Sequence, residues 1–391
     1  MRLSLLFQRE PFGKILEQTL GDYWSETTSC PVQVQWGDGF AGRQCWRGNV
    51  YLNFFCVTDV APECFEIIIC ELGRARSPWG RWPQAAYVKC ATTPPMRDWL
   101  SHACFGVSPA ISLAREQLVV GGNRRLRLIH PAAGVSVVIH KAGFSRLGFD
   151  REVRARKGLA ASISPRLLAI SESGLHFTEE YFVGTPANRL PLGVQAEVRG
   201  QAVEQLIAQV HRPSLRLVRL GDHAHSLVEA IREIAPAVEP AGRSFAGIAD
   251  RLAGSVDLGL VLSHGDFQDA NLLVSAGGVR VIDWENATER SQVYDLATLA
   301  AGTRQTSDWV GAWQCELNRW IELSAACPQL EVPMGNDART RAAHGAVWFL
   351  EEVLFRLEDA AISPYADIAL AATEAIESVR RAGVALHPVI L

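Results

Sequence analysis

The chain has 391 residues, of which 48% are hydrophobic and 20% charged, and its net charge is -4 at pH 7. This length allows two or three domains with cores of their own, and the composition is that of an ordinary globular protein. The small negative charge provides no field that would attract nucleic acid or an anionic membrane surface, so we expect neither partner.

The N-terminus and the cysteines bear on the cellular compartment. Residues 1–11 contain a short apolar run that charged residues soon end, unlike a secretory signal. No stretch has the roughly 20 apolar residues of a membrane-spanning helix. The nine cysteines are irregularly spaced and form no C-x-x-C pair, which indicates neither a zinc knuckle nor a disulfide framework. We therefore expect a cytoplasmic protein, and the sequence indicates no oligomeric state.

Residues 1–113 are rich in Trp and Cys. They contain strand-like apolar runs, such as 50–56 and 65–70, between breaks rich in Gly and Pro. The region contains no motif that indicates a function. We predict that it forms an additional N-terminal α/β domain with its own core.

A β-hairpin is predicted next, from two apolar runs around the turn Gly121-Gly122-Asn123. Glycines in such a turn let main-chain N–H groups approach phosphates closely. The same residues also suit an ordinary hairpin turn, and the sequence leaves both interpretations open.

The following strand, 135–141, ends in Lys141, one of only four lysines in the chain. A lysine is a compact point charge that suits nucleotide phosphates. A helix is predicted to begin near Gly148, with Glu152 in its early turns. Glu152 either serves the site or lies on a solvated charged face of that helix. A half-buried strand at 175–179 then runs directly into residues 180–184.

From about residue 194 the pattern is mostly helical, but residues 261–284 differ and carry the most informative pattern. Asp266 and Asn271 are five residues apart on a polar loop between apolar runs, and Asp283 ends the next apolar run. In phosphoryl transfer an Asp accepts the proton of the attacking hydroxyl, while Asn and Asp oxygens hold Mg²⁺ against the phosphates. The spacing equals that of the protein-kinase loop H-R-D-L-x-x-x-N, with Gly265 in place of Arg.

A metal-dependent hydrolase is the competing interpretation of the His264-x-Asp266 pair. It requires further histidine ligands, for which the sequence offers only His223 and His225. These two residues lie in a predicted helix, where positions two apart point to different faces. Three oxygen-bearing side chains on two loops suit Mg²⁺ and phosphate better.

Three segments together resemble the aminoglycoside phosphotransferase and choline kinase-like family. Residues 264–271 read H-G-D-F-Q-D-A-N, residues 282–285 read I-D-W-E, and residues 295–297 read D-L-A. The resemblance implies an α+β, bilobal, protein-kinase-like fold. We expect a small β-rich lobe with the hinge over residues 114–184 and a larger, mostly helical lobe over residues 185–391, both after the N-terminal domain.

The resemblance also implies roles for the residues of the two loops. Asp266 would be the catalytic base, and Asn271 and Asp283 would hold Mg²⁺. His264 and Asp295 would support the structure, with His264 tying the loop to Asp295 or to main chain.

ATP or another nucleoside triphosphate is expected between the lobes. Lys141 would bind its phosphates and would itself pair with Glu152. The expected nucleotide-binding residues are Lys141, Glu152, Gly121 and Gly122 of the turn, and Glu180, Tyr181 and Phe182 of the hinge, whose main chain would face the adenine.

The predicted function is ATP- and Mg²⁺-dependent phosphorylation of a hydroxyl on a small molecule: a sugar, an amino alcohol or an aminoglycoside-like compound. The alternative is a nucleotide-binding regulator or pseudokinase that acts through its N-terminal domain, although the complete set of loop residues argues against it. A protein kinase is disfavoured by Gly265 and by Trp284-Glu285 after the metal Asp. Asp269 has no assigned role and is expected to be exposed, and Glu351 or Glu352 is a candidate to face the acceptor.

Overall fold

The computed structural model of the protein describes residues 3–37, 43–72, 80–254, 256–302, 304, 306–315 and 337–390. The chain divides into two compact units. The first, here called the sheet unit, runs to Arg146 and adds Ser164–Val198 and Leu273–Ile282. The second, the helical unit, comprises Leu147–Ile163, Arg199–Leu272 and the chain from Asp283. The first is rich in strands and the second mostly helical, which confirms the predicted α+β class.

The sheet unit is built on a nine-stranded sheet. Its strands are β1 (Gln33–Trp36), β2 (Gln44–Asn49), β3 (Phe54–Val57), β4 (Ala103–Ser108), β5 (Leu118–Gly121), β6 (Arg125–His130), β7 (Val135–His140), β8 (Leu167–Ile170) and β9 (His176–Glu180). Their order across the sheet is β1-β4-β2-β3-β5-β6-β7-β9-β8, and all neighbours are antiparallel. The predicted hairpin is β5–β6. Among the described residues, the α-helices of this unit before β4 are α1 (Leu3–Arg9), α2 (Phe12–Thr28), α3 (Glu66–Leu72), α4 (Arg81–Thr92) and α5 (Met96–Trp99).

The expected N-terminal domain and the expected small lobe share this sheet. Strand β3 pairs with β5, with Phe54 opposite Val120 and Phe55 opposite Val119. All four residues of β3 are buried, and one apolar core extends from Leu3 to Ile139. The predicted boundary at residue 113 therefore falls inside a single sheet and a single core. The apolar residues before it do not form a core of their own because they pack against the strands that follow.

The other helices are α6 (Leu147–Lys157), α7 (Leu192–Leu206), α8 (Arg212–Ser214), α9 (Leu220–Ile234), α10 (Glu239–Ala253), α11 (Tyr294–Ala301), α12 (Ala338–Ile362) and α13 (Ile368–Ile390). The other strands form two three-stranded sheets. In order across each sheet, the strands are β10 (Thr185–Pro186), β13 (Leu272–Ser275) and β14 (Gly278–Val281), and β11 (Arg216–Arg219), β12 (Asp257–Ser263) and β15 (Thr288–Ser291).

Helices α9, α10, α12 and α13 enclose the core of the helical unit. Helix α12 begins after Asp337, whose carboxylate accepts the N–H of Thr340 at 2.9 Å, a standard N-cap. Its residues 342–353 are all buried, with Trp348 and Phe349 fully covered. Within the described ranges, no helix is long and apolar enough to cross a membrane.

Candidate active site

Asp295, in the first turn of α11, anchors the predicted catalytic loop. Its carboxylate accepts the Ser263 hydroxyl at 2.9 Å and the main-chain N–H groups of His264 and Gly265 at 2.8 and 3.0 Å. His211, which ends a π-helical turn at Ile207–His211, places Nε2 3.2 Å from the same carboxylate. Burial alone would raise the pKa of Asp295, but the hydrogen bonds from His211 and from main chain lower it to about 2. Asp295 is therefore ionised; three of its contacts hold the loop, and the fourth joins it to His211.

His264 occupies the supporting position expected of it. It ties the loop to Asp295 through its main-chain N–H. Its ring is fully buried, 4.6 Å from that of Trp284 between centroids. The ring Nδ1 accepts the main-chain N–H of Asp266 at 3.2 Å. The ring thus helps to fix the backbone at the proposed base.

Gly265 is required by the shape of the loop. Its φ is +82°, a region that side chains disfavour. A Cβ at this position would lie 2.2 Å from the carbonyl oxygen of Asn286 and 2.5 Å from a guanidinium nitrogen of Arg290. An arginine, as in protein kinases, has no room here.

Asp266 is held by three side chains that donate hydrogen bonds. Gln268 Nε2 lies 3.1 and 3.0 Å from its two carboxylate oxygens, and Asn271 Nδ2 lies 3.0 Å from Oδ2. Arg304 Nε lies 3.1 Å from Oδ1. Burial raises the pKa of Asp266, and the charge of Arg304 opposes that shift. Arg304 and Gln268 were not predicted: Gln268 lies within the motif but at an unassigned position, and Arg304 lies far along the chain.

Asp269 is buried, so the expectation that it is exposed is wrong. Its side chain is 3% exposed and forms a two-pronged ion pair with Arg199, at 2.7 Å from Nε and 2.5 Å from Nη2. An unpaired carboxylate at this depth would be costly, and Arg199 offsets that cost. The middle of the loop is therefore tied to α7.

Asn271 and Asp283 carry the oxygens predicted to hold Mg²⁺. Asn271 directs its amide nitrogen to Asp266, so the predicted metal contact would use its amide oxygen. Asp283 follows β14 with φ at +73° and precedes the helical turn Trp284–Asn286. Helix α6 packs against that turn. Hard oxygens of this kind suit Mg²⁺, which keeps few protein ligands beside waters and phosphates. Across the described ranges no three or more His, Cys, Asp or Glu side chains converge as metal ligands.

Lys141 immediately follows β7, as predicted, but its ammonium group is engaged. It lies 2.5 Å from a carboxylate oxygen of Glu10 and 3.2 Å from the carbonyl oxygen of Asn123. The rings of Phe12 and Phe144 cover it at 5.1 and 5.4 Å. Burial lowers the pKa of Lys141 and raises that of Glu10, while their ion pair opposes both shifts.

Glu152 lies on α6 at 1% exposure, so the solvated-face interpretation is wrong. Its carboxylate accepts a hydrogen bond from Arg156, one turn later, at 3.2 Å. The carboxylate that pairs with Lys141 is that of Glu10. The pairing of Lys141 with Glu152 stays a prediction.

In the glycine turn between β5 and β6, the main-chain groups of Gly121 already have a hydrogen-bond partner within the protein. The side-chain amide of Asn53 accepts the N–H of Gly121 at 3.2 Å and donates to its carbonyl at 2.8 Å. A Cβ on Gly121 would lie 2.6 Å from Leu3, and one on Gly122 would lie 2.9 Å from the carbonyl oxygen of Arg125. The structure favours the ordinary-turn interpretation, because a phosphate would have to displace Asn53 to reach Gly121.

The predicted hinge begins where β9 ends at Glu180. The N–H of Glu180 bonds to the carbonyl of Arg166, and that of Tyr181 bonds to the carbonyl of Gly134, both at 2.9 Å. Phe182 follows outside the strand. A nucleobase would have to break hydrogen bonds of the sheet unit to use the first two donors.

Glu351 and Glu352 of α12 both have protein partners. Glu351 accepts the N–H and the hydroxyl of Ser291 at 2.6 and 2.5 Å, and His223 Nε2 lies 3.1 Å away. Glu352 accepts the hydroxyl of Tyr294 at 2.9 Å. Both carboxylates are at most 1% exposed. Both carboxylates therefore bind groups of the protein, whereas the sequence made one of them a candidate to face the acceptor.

Residues 149–322 match a family described as the phosphotransferase enzyme family. The matched range contains most of α6, the catalytic loop, Asp283 and Asp295. The match confirms the resemblance and the enzyme class that the motifs indicated. A search of curated proteins finds no significant match.

Several solved structures are similar to the chain. One is a choline/ethanolamine kinase family protein from Mesorhizobium loti, at 18% identity, covering 78% of this chain and 94% of that one, with a TM-score of 0.44. Another is a choline kinase from Cryptosporidium parvum, at 13% identity, 79% and 98% coverage and a TM-score of 0.45. A third is an aminoglycoside phosphotransferase in a complex with ADP and hygromycin B, at 16% identity, 68% and 93% coverage and a TM-score of 0.43.

Proposed function

We propose that the protein transfers the γ-phosphoryl group of ATP to a hydroxyl group of a small molecule. The observation that carries the proposal is the geometry at Asp266. Its carboxylate is held by Asn271, Gln268 and Arg304 on a loop that Asp295 anchors, inside the range that matches a phosphotransferase family.

Asp266 accepts the proton of the acceptor hydroxyl in this mechanism. The hydroxyl oxygen forms a bond to the γ-phosphorus, the bond from that phosphorus to the β–γ bridging oxygen breaks, and ADP leaves. Because burial raises the pKa of Asp266, the carboxylate is a better base than an exposed aspartate. Positioning contributes most of the rate, since phosphoryl transfer requires little covalent chemistry from the protein.

Mg²⁺ is the proposed metal, with the amide oxygen of Asn271 and the carboxylate of Asp283 as its protein ligands. When bound, the ion would neutralise charge on the nucleotide phosphates. The donor set fits, because both atoms are hard oxygens on loops fixed by neighbouring structure.

A cavity in the helical unit is the proposed place for the acceptor. Its volume is about 690 Å³, within the range of small-molecule sites. Its lining includes aromatic, hydroxyl and charged side chains, among them Arg304, Ser307, Trp309, Phe355, Asp359 and Glu374. Arg304 both lines this cavity and contacts Asp266, which supports it as the place for the acceptor. The mixed lining suits a polar, hydroxylated molecule, and a sugar, an amino alcohol and an aminoglycoside-like compound remain the candidate classes.

The test is a co-substrate screen with the purified protein, Mg²⁺ and either ATP or GTP. Sugars, amino alcohols and aminoglycosides are added one at a time, and ADP or GDP release is recorded. We expect release that depends on one class of acceptor. Nucleotide binding without acceptor-dependent release across the panel would contradict the proposal.

That negative result would favour the second candidate, a nucleotide-binding regulator or pseudokinase. One observation speaks for it: the proposed phosphate-binding amine of Lys141 is buried against Glu10. In an active enzyme, nucleotide phosphates would have to draw Lys141 away from Glu10 or bind elsewhere.

A further inference from the structure

We propose that Arg304 is a positioning residue that holds the carboxylate of Asp266 in the orientation required to accept the acceptor's proton. The inference rests on the proposed function, because it assigns Arg304 a part in the same reaction.

One guanidinium group spans Asp266 and the residue before it. Arg304 Nε donates to Oδ1 of Asp266 at 3.1 Å, and Nη2 donates to the carbonyl oxygen of Gly265 at 3.1 Å. The planar group thus fixes the carboxylate relative to its own main chain. A lysine has a single donor centre and does not reproduce both contacts in one plane.

Arg304 is itself held rigidly by α11 and α12. Its Nη1 donates to Glu352, and its Nη2 donates to the Tyr294 hydroxyl at 2.9 Å. The guanidinium carbon lies 3.9 Å from the centre of the Phe355 ring. The side chain is 10% exposed. A group with this many fixed partners can hold Asp266 without moving during the reaction.

The other two donors to Asp266 are less suited to fixing its carboxylate relative to the rest of the unit. Asn271 is assigned to the metal, and Gln268 is two residues away on the same loop and moves with it. Arg304 approaches from a separate part of the chain. It therefore ties the carboxylate of the base to α11 and to α12, which lines the proposed acceptor cavity.

Arg356 provides a matched control. Its guanidinium also contacts Glu352, with Nε at 2.9 Å, and lies over the ring of Trp309 at 4.6 Å. Because Arg356 also lines the proposed acceptor cavity, its loss is expected to raise the KM for the acceptor, and the variants are compared by kcat at saturating acceptor. The hydrogen bonds of Asp266 described above come from Gln268, Asn271 and Arg304, so Arg356→Ala removes a similar charge from the same partner without removing a contact to the base.

The test compares Arg304→Ala, Arg304→Lys and Arg356→Ala for acceptor-dependent ADP release, with thermal unfolding of each variant as the check on folding. We expect kcat to fall roughly 10- to 100-fold in both Arg304 variants, as for a base displaced by about 1 Å. The KM for ATP should stay within about twofold. Guanidinium ion at millimolar concentration should restore part of the kcat of Arg304→Ala and none in Arg356→Ala. If Arg304→Ala does not fold, Arg304→Lys carries the kinetic test.

A kcat near that of the wild type in a folded Arg304 variant would overturn the inference and leave the proposed function standing. An equal loss of kcat at saturating acceptor in Arg356→Ala would also overturn it, because the effect would then follow Glu352 or the cavity rather than Asp266. A wild-type protein that transfers phosphate to no acceptor would instead overturn the proposed function, and the role of Arg304 in it, whatever the variants do.

Discussion

The ammonium nitrogen of Lys141 lies 2.5 Å from the carboxylate of Glu10, and the two side chains are 0% and 5% exposed. Glu10 lies between α1 and α2, 131 positions before Lys141. This buried ion pair joins the start of the chain to the end of β7, and each charge depends on the other for compensation.

We predict that Lys141→Met destabilises the protein by about 3 kcal/mol, because it leaves the Glu10 carboxylate buried without its partner. Urea unfolding measures this change. Lys89→Met is the matched control: Lys89 is exposed on helix α4, and its loss should change stability by less than about 0.5 kcal/mol. Equal effects of the two substitutions would contradict the importance of the pair.

Glu10→Gln tests whether Lys141 also binds nucleotide phosphates. If Lys141 binds phosphates after leaving Glu10, removal of the competing carboxylate charge should lower the KM for ATP severalfold. An unchanged KM in Glu10→Gln, together with an unchanged KM in Lys141→Met, would make Lys141 a purely structural residue.

Asp295→Asn should destabilise the protein by about 2 kcal/mol at pH 7. The folded pKa of about 2 is below the ordinary value of 3.8, and a difference of this size corresponds to that free energy. The contribution is complete above pH 3.8 and is lost as pH falls towards 2. Chemical unfolding of both proteins from pH 7 to pH 3 should therefore show their difference shrinking below about pH 4. A difference that is constant over this range would contradict the prediction.

His344 should make the helical unit sensitive to acid. It is fully buried in α12, and neither ring nitrogen has a hydrogen-bond partner in the described part of the chain. Burial lowers its pKa from 6.5 to about 4. The unfolded chain therefore takes up a proton before the folded one, and stability falls between pH 6.5 and about pH 4, by about 3 kcal/mol in total.

Substitution of His344 by leucine should remove that part of the pH dependence. The measurement is the free energy of unfolding of both proteins at pH 7, 6, 5 and 4. Parallel pH profiles for the wild type and His344→Leu would show that His344 is not the source.

Asp283→Ala should weaken nucleotide binding in the presence of Mg²⁺ more than in its absence, since the carboxylate is a proposed metal ligand. Titration calorimetry with ATP, with and without Mg²⁺, measures both affinities. Asn271→Ala should behave in the same way. An equal loss of affinity under both conditions would make Asp283 a structural residue of its turn.

The catalytic loop could be predicted from the sequence because its candidate functional residues lie close together along the chain. Asp266 and Asn271 lie five residues apart on one loop, and their contact in the structure follows from that spacing. The hairpin of β5 and β6 and the helix that carries Glu152 could likewise be predicted, because local turn residues and periodicity indicate them.

The features that were missed depend on residues distant along the chain. Arg304 reaches Asp266 across 38 positions and Arg199 reaches Asp269 across 70, and no local pattern marks either arginine. The N-terminal region appeared to be a separate domain because its composition changes near residue 113. Its strand β3 pairs with β5 instead, and sequence patterns indicate strands without indicating their partners.

The central claim is that Asp266 is the base of a phosphoryl transfer. The most direct measurement is acceptor-dependent ADP release by the wild type and by Asp266→Asn, with ATP affinity determined for both. The account predicts a rate loss of about 10²- to 10⁴-fold in Asp266→Asn with nucleotide affinity nearly unchanged, because the base acts on the acceptor. Turnover by Asp266→Asn near that of the wild type would contradict it.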